Sequence, residues 1–360
     1  MVNLSVSNLT EVLTPIWERV LGHSPIGIAD NFFDLGGDSS LALKLFTEIA
    51  QACGRLIPPV MIYQAPTIAA LAAMLEQPTL PRFAPLVLLK DGTAEPPILI
   101  THGMGGNVMD FFQVVKHIQT SRPIYGMQAK GLDGAEEPFD RIEDMAQFFL
   151  DAVKEMRPHG PYLIIGYSLG GLVALEMAQR LSGDGERVAL LALLESYPHR
   201  KYLAASQRIR LFARLLRNRL TTLIHLRPRE AFSYILHPAE RLAHISRNGS
   251  QSGRSQLPLD VWFTPEIMRM RDRGHLALKH YRPRYYPGKI HFVRAEVGTE
   301  FPDDPAAVWA DLAADLEVET VPGDHLEIVN THFECLGAVL SRYLQEASGE
   351  YELADRGQNS

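Results

Sequence analysis

The sequence predicts a multidomain chain: a small all-α four-helix bundle, then a mostly parallel α/β sheet that carries a helical insertion. In the first part, apolar residues recur at helical spacing, at Val12, Ile16 and Val20 and again at Leu41, Leu45 and Ile49. From Leu86 onward, short apolar runs alternate with helical stretches, the pattern of parallel strands covered on both faces. Between the two, Gln77–Pro85 holds three prolines in nine residues, which fix φ and disfavour helix. The expected boundaries are a bundle over 1–77, a linker over 78–85, the α/β domain over 86–347 and a polar, disordered tail over 348–360.

In the bundle, Pro15 is awkward inside a first helix, so Thr14 is expected to cap it with Pro15 at the first helical position. Thr67 is the expected N-cap of the last helix, Ile68–Leu75. The expected strands are Leu86–Lys90, Ile98–Thr101, Ile124–Met127, Tyr162–Ile165, Val188–Leu194, Ile290–Arg294 and Val318–Val321. The stretch from about 198 to 286 is too long for one loop and has its own helical periodicity, so it is read as an inserted subdomain.

Composition narrows the function classes. With 46% hydrophobic and 21% charged residues, the 360-residue chain can bury a real core. Its apolar runs stop well short of the ~20 residues that span a bilayer, and no basic-then-apolar leader opens it. A cytoplasmic protein without membrane insertion is therefore expected. Cys53 and Cys335 are the only cysteines, which argues against a disulfide framework or a zinc ribbon. A net charge of −7 argues against nucleic-acid binding. The charge is uneven: residues 1–77 hold seven acidic and three basic residues, while 200–255 hold twelve basic and two acidic ones.

Residues 30–41 read Asp-Asn-Phe-Phe-Asp-Leu-Gly-Gly-Asp-Ser-Ser-Leu. Two glycines permit a tight turn and place Ser39 at the start of a helix, where unpaired N–H groups and the helix dipole favour a phosphate ester. The string resembles the phosphopantetheine attachment motif of peptidyl carrier (thiolation) domains of non-ribosomal peptide synthetases, roughly D-x-F-F-x-L-G-G-[DH]-S-[LI]. The resemblance spans residues 9–76 and implies 4'-phosphopantetheine on Ser39, added by a phosphopantetheinyl transferase. Ser40 replaces the usual aliphatic residue and is the alternative acceptor.

Gly166-Tyr167-Ser168-Leu169-Gly170 lies between an apolar run and a helical stretch, the strand–turn–helix setting that a G-x-S-x-G nucleophile requires. A serine nucleophile needs a base, and the base an orienting acid, here expected in the order Ser, acid, His. His325 is the expected base because Val321–His325 reads as a strand end entering a turn; His332 is the weaker candidate, and His102 comes too early. Glu195, ending the strand after the nucleophile's helix, is the favoured acid, with Glu296 and Asp303 or Asp304 as alternatives. The oxyanion donors expected are the backbone N–H groups of Leu169 and of Met104, in the loop His102–Asn107. That loop lacks the third glycine of a dinucleotide fingerprint, and no metal-ligand cluster such as HExxH is present.

Residues 86–346 resemble the α/β-hydrolase thioesterase domains that terminate non-ribosomal peptide synthetases. The matching pieces are His102–Gly106, Gly166–Gly171 running into Val173–Ala178, Leu193-Leu194-Glu195 and Pro322–His325. Two positions depart from the family pattern: Glu195 is usually Asp there, and Gly103 is commonly Pro. The insertion corresponds to the family's lid. Its segment Ile209–Arg217 is basic and amphipathic, read as a lid helix or a contact for the acidic carrier, with a membrane-surface role as the remoter alternative.

The resemblance implies that the arm on Ser39 delivers an acyl or peptidyl thioester to Ser168, with release by hydrolysis or cyclisation. Upstream adenylation and condensation domains, in cis or in trans, would load it. Release by C–C bond formation (Claisen or Dieckmann type), oligomerisation, or docking without turnover are the alternatives.

Overall fold

The computed structural model describes residues 6–37, 39–54, 57, 59–77, 84–132, 134–225, 265–298, 302 and 304–358. The N-terminal unit comprises α1 (Val6–Leu21), α2 (Ser39–Cys53), a 3-10 turn over Pro59–Tyr63 and α3 (Ile68–Glu76). Among the described residues the bundle's four helical elements are thus three α-helices and one 3-10 turn. The paired prolines at 58 and 59 lack the N–H groups a longer helix would need. Pro15 lies inside α1 rather than at its start, and the Thr14 hydroxyl donates back to the Thr10 carbonyl at 2.8 Å. Burial of Leu9, Leu13, Ile16, Trp17 and Val20 along one face spans both sides of the proline. That burial outweighs the proline's cost of about 3 kcal/mol, since each buried side chain contributes roughly 1.5–3 kcal/mol. Thr67 caps α3, accepting from the Ala70 N–H at 3.1 Å.

The second unit is a seven-stranded sheet of β1 (Leu86–Lys90), β2 (Ile98–Thr101), β3 (Ile124–Met127), β4 (Tyr162–Tyr167), β5 (Val188–Leu194), β6 (Tyr286–Ala295) and β7 (Ala313–Val321). The strand order is β1-β3-β2-β4-β5-β6-β7; β1 is antiparallel to β3 and all other pairings are parallel. The helices are α4 (Phe112–His117), α5 (Ile142–Met156), α6 (Leu169–Gly183), α7 (Ala205–His225), α8 (Pro265–His280), α9 (Pro305–Trp309), α10 (Glu327–Asn330) and α11 (Phe333–Gln358).

Strand side chains alternate between two cores, as the two-residue period demands. Leu99, Ile164, Leu191, Leu193 and Phe292 face α5 and α6. Ile100, Ile165, Ala192, Leu194 and Val293 face α4 and α11. The central strands β2 and β4 are buried throughout, so their continuous apolar runs were legible. The outer strands exceed the expected runs: β6 begins at Tyr286 rather than Ile290, and β7 at Ala313 rather than Val318. On the edge strand β7, exposed polar residues interrupt the apolar pattern. Helix α11 continues to Gln358, through most of the stretch expected to be a disordered tail. Among the described residues, no helix is long and apolar enough to cross a membrane.

Candidate active site

The site is built at the carboxyl edge of β4 and β5, beside the centre of the sheet. Between β4 and α6 the chain reverses within one residue: Ser168 has φ 55° and ψ −121°, a left-handed conformation costing on the order of 1–3 kcal/mol. The turn closes only because its neighbours lack side chains. A Cβ on Gly170 would lie 2.0 Å from the His102 carbonyl oxygen, and one on Gly171 would lie 2.4 Å from the Ser196 side chain. Ser168 is thereby lifted out of the sheet at the N-terminus of a 15-residue helix, whose first N–H groups have no partner within the helix.

The His325 Nε2 lies 3.1 Å from the Ser168 Oγ. His325 sits in a turn tightened by reciprocal bonds. Asp324 accepts from the Leu326 and Glu327 N–H groups at 2.9 and 3.0 Å, and Glu327 accepts from the Asp324 N–H at 3.0 Å. On its other side, His325 Nδ1 lies 3.5 Å from Glu195 Oε2. This is an ion-pair distance, longer than a well-made hydrogen bond. Glu195 is 5% exposed, has φ 45°, and accepts the Ala295 N–H on Oε1 at 2.7 Å. One carboxylate oxygen is therefore pinned to β6 and the other faces the imidazole, an arrangement for which glutamate's extra methylene is long enough.

Glu296 is exposed, Asp304 caps α9 by accepting from the Ala307 N–H, and Asp303 lies outside the described residues. His102 is buried with Nδ1 2.6 Å from the Gly103 carbonyl oxygen, and burial pushes its pKa down to about 4, so it is neutral and not poised as a base. His332 packs its Cδ2 edge near Gly323, a turn away.

Above the expected oxyanion donors lies α8. A Cβ on Gly274 would sit 2.7 Å from Met104 Sδ and 3.0 Å from Leu169 Cδ2, and one on Gly106 would sit 2.7 Å from Met270 Cγ. Residues 270 and 274 are one turn apart on the same face of α8, which therefore rests directly on the loop after β2 and on the first residue of α6. Glu176 of α6 anchors the chain beyond it, accepting from Tyr281 at 3.0 Å and from Arg284 at 3.2 Å. On α7, Leu211 and Arg214 are buried while Arg208, Arg210 and Arg217 are exposed, so one face packs inward and the basic face looks out.

Sequence reasoning missed Tyr167. Its ring stacks on His325 at 5.0 Å with 22° between planes, and its hydroxyl donates to the His325 carbonyl at 2.6 Å. Burial holds the phenol well above its usual range, so it stays a donor. The same ring crowds Gly103, where a Cβ would lie 2.9 Å from Tyr167 Cδ1. Only its place beside the nucleophile could have flagged it. Tyr167→Phe keeps the stack and loses the bond, so thioester turnover should fall about three- to tenfold and stability by about 1 kcal/mol. Steady-state kinetics with a free thioester and a thermal melt check both.

In the N-terminal unit, α2 begins at Ser39, two residues after Gly37 of the Gly36-Gly37 pair, where Gly36 has φ 87°. Among the described residues nothing lies within 4 Å of where a Cβ on Gly36 would sit, so the turn is open at Gly36, whereas a Cβ on Gly37 would lie 2.4 Å from the Phe32 ring. A helix start beside an open glycine turn fits a group attached through a phosphate.

A serine at a strained elbow, with an imidazole and a carboxylate in the order Ser, Glu, His on a mostly parallel sheet, is the arrangement found in serine hydrolases of the α/β type. Residues 96–345 match the family described as the thioesterase domain, and residues 11–75 match the phosphopantetheine attachment site. The chain belongs to the thioesterase domain family, with a phosphopantetheine-bearing carrier domain ahead of it. It is 37% identical over 190 residues to a dimodular nonribosomal peptide synthase of Bacillus subtilis (strain 168), covering 52% of this chain and 8% of that one. It is 35% identical over 288 residues to malpibaldin synthetase of Mortierella alpina, covering 79% of this chain and 5% of the relative. The chain thus spans less than a tenth of the length of these relatives. Two solved structures share its fold. The four-domain nonribosomal peptide synthetase AB3403 aligns over 95% of this chain and 26% of its own, at 23% identity and a TM-score of 0.56. The NocB thioesterase domain in covalent complex with a fluorophosphonate nocardicin G analog aligns over 70% and 95%, at 20% identity and a TM-score of 0.50.

Proposed function

We propose that this chain performs the release step of a non-ribosomal peptide synthetase: Ser168 takes an acyl or peptidyl group from the chain's own carrier domain, and the product leaves by hydrolysis or cyclisation. The observation that carries this reading is the 3.1 Å approach of His325 Nε2 to Ser168 Oγ, in a chain that also holds a carrier domain. Phosphopantetheine on Ser39 supplies, when bound, a flexible arm whose thiol holds the acyl group as a thioester. Ser168 Oγ attacks the thioester carbonyl while His325 takes its proton. Glu195 orients the imidazole and stabilises the imidazolium, and the Leu169 and Met104 amides receive the oxyanion. His325 returns the proton to the leaving thiolate, which leaves an acyl ester on Ser168. His325 then activates water, or a nucleophile within the acyl chain, against that ester.

Tethering supports the reading, because a linked carrier reaches its enzyme at an effective concentration near millimolar for a short linker. Adenylation and condensation domains are the expected source of the acyl group, and a phosphopantetheinyl transferase of the arm. Both cysteines are free thiols, in keeping with a cytoplasmic setting.

Ser39→Ala tests the carrier assignment. With a promiscuous phosphopantetheinyl transferase and coenzyme A, the wild type should gain one arm mass and the variant none, while hydrolysis of free thioesters persists in both. An arm on the Ser39→Ala chain moves the attachment to Ser40.

A further inference from the structure

The face on which the carrier meets the thioesterase domain is legible in the ring contacts between the two units. Resting on the release reading above, we propose that the carrier docks through an aromatic latch in which Phe33 and Tyr63 close on Phe112 at the start of α4. Phe33 lies in the loop six residues before Ser39. Its ring centroid is 4.3 Å from that of Phe112, at 33° between planes, and Tyr63 stacks on Phe33 at 4.9 Å and 25°. Phe33 is 8% and Phe112 7% exposed. Leu89 of β1 and Met109 pack against the same cluster from the thioesterase side. At the rim, Lys116 lies 4.1 Å over the Phe112 ring and is attracted by Asp34 of the carrier. An apolar centre with a charged rim is the anatomy of a specific interface. Among the described residues, these contacts put the carrier on α4 and β1, and not on the exposed basic face of α7 where the sequence charge had pointed.

The same surface contains terms that oppose docking. Among the described residues the buried Tyr63 hydroxyl has no hydrogen-bond partner, and burial raises the Asp110 carboxyl to about 6. An unsatisfied buried hydroxyl costs free energy that the stacked rings must offset. The outcome is a latch that holds and lets go, which suits a carrier that must leave to be reloaded.

The test uses the full chain. Phe112→Ala and the exposed Lys116→Glu both alter only the thioesterase side. If the latch exists, amide hydrogen exchange in carrier residues 29–37 should quicken about tenfold in both variants. Tyr63→Phe removes the orphan hydroxyl and should slow it. Deacylation of an acyl group borne on Ser39 should slow about tenfold in Phe112→Ala and Lys116→Glu, while hydrolysis of a free acyl-N-acetylcysteamine thioester stays within about twofold in Lys116→Glu. Unchanged carrier exchange in both variants overturns the latch. Carrier exchange that responds in a chain unable to hydrolyse any thioester upholds the latch and refutes the release reading instead.

Discussion

Ser168→Ala should abolish turnover of every thioester and leave an acyl group stranded on the arm. The expected loss in kcat is about 10⁵–10⁶-fold, the scale seen when a triad nucleophile is removed. The reason is geometric. Ser168 Oγ is the one hydroxyl that the elbow presents to His325 Nε2, at 3.1 Å, and alanine offers nothing for that nitrogen to deprotonate. The substitution should not lower stability. Alanine adopts the φ of 55° about as poorly as serine does, and the backbone bonds holding the elbow, such as that from the Ser168 N–H to the Leu194 carbonyl at 2.9 Å, do not use the side chain. A melt within about 2 °C of wild type, with no detectable thiol release, is the expected pair of results.

Glu195→Gln should cost about 10³–10⁴-fold in kcat. The nearest precedent is a triad aspartate changed to its amide, where the geometry survives and the tautomer is wrong. Glutamine can still accept the Ala295 N–H that now meets Oε1 at 2.7 Å, so the strand junction keeps its bond. It cannot stabilise the imidazolium, and its NH₂ can turn toward Nδ1 and favour the unreactive ring orientation. Glu195→Ala should lose as much activity and also about 1–3 kcal/mol of stability, because the buried Ala295 N–H is left unpaired. Glu195→Asp is the informative contrast. The shorter side chain must give up either the β6 anchor or the imidazole, so activity between wild type and the glutamine variant is expected. Kinetics on a free thioester, with melts of all three variants, separate the two jobs of this carboxylate. Near-wild-type turnover in Glu195→Gln passes the role to Asp303 or Glu296.

The two-unit architecture and the elbow at Ser168 were legible because each rests on local pattern. The central strands are apolar throughout since both faces are covered, and Gly166-Tyr167-Ser168-Leu169-Gly170 needs its small residues for clearances under 3 Å. Capping by Thr67 was equally local. What stayed hidden depends on partners distant in sequence. Pro15 is held inside α1 by a face that packs on the rest of the bundle. The edge strand β7 is half exposed and shows no apolar run. Tyr167 matters through a turn 158 residues away, and the Phe33–Phe112 contact joins residues in different domains. No composition or spacing rule registers a contact of that kind. The long 3.5 Å gap between Glu195 and His325 likewise follows from where β6 pins the carboxylate, which the exchange of Asp for Glu could only hint at.

Intact-protein mass over time tests the central claim most directly. The wild type and Ser168→Ala are each loaded on Ser39 by a phosphopantetheinyl transferase with an acyl-coenzyme A, and the transferase is then removed. Both should begin with the mass of one acylated arm. The wild type should lose its acyl mass and retain the bare arm, while Ser168→Ala keeps its acyl group throughout. Loss of the acyl group from both chains at the same rate would contradict the account, because the thioester would then be leaving without Ser168.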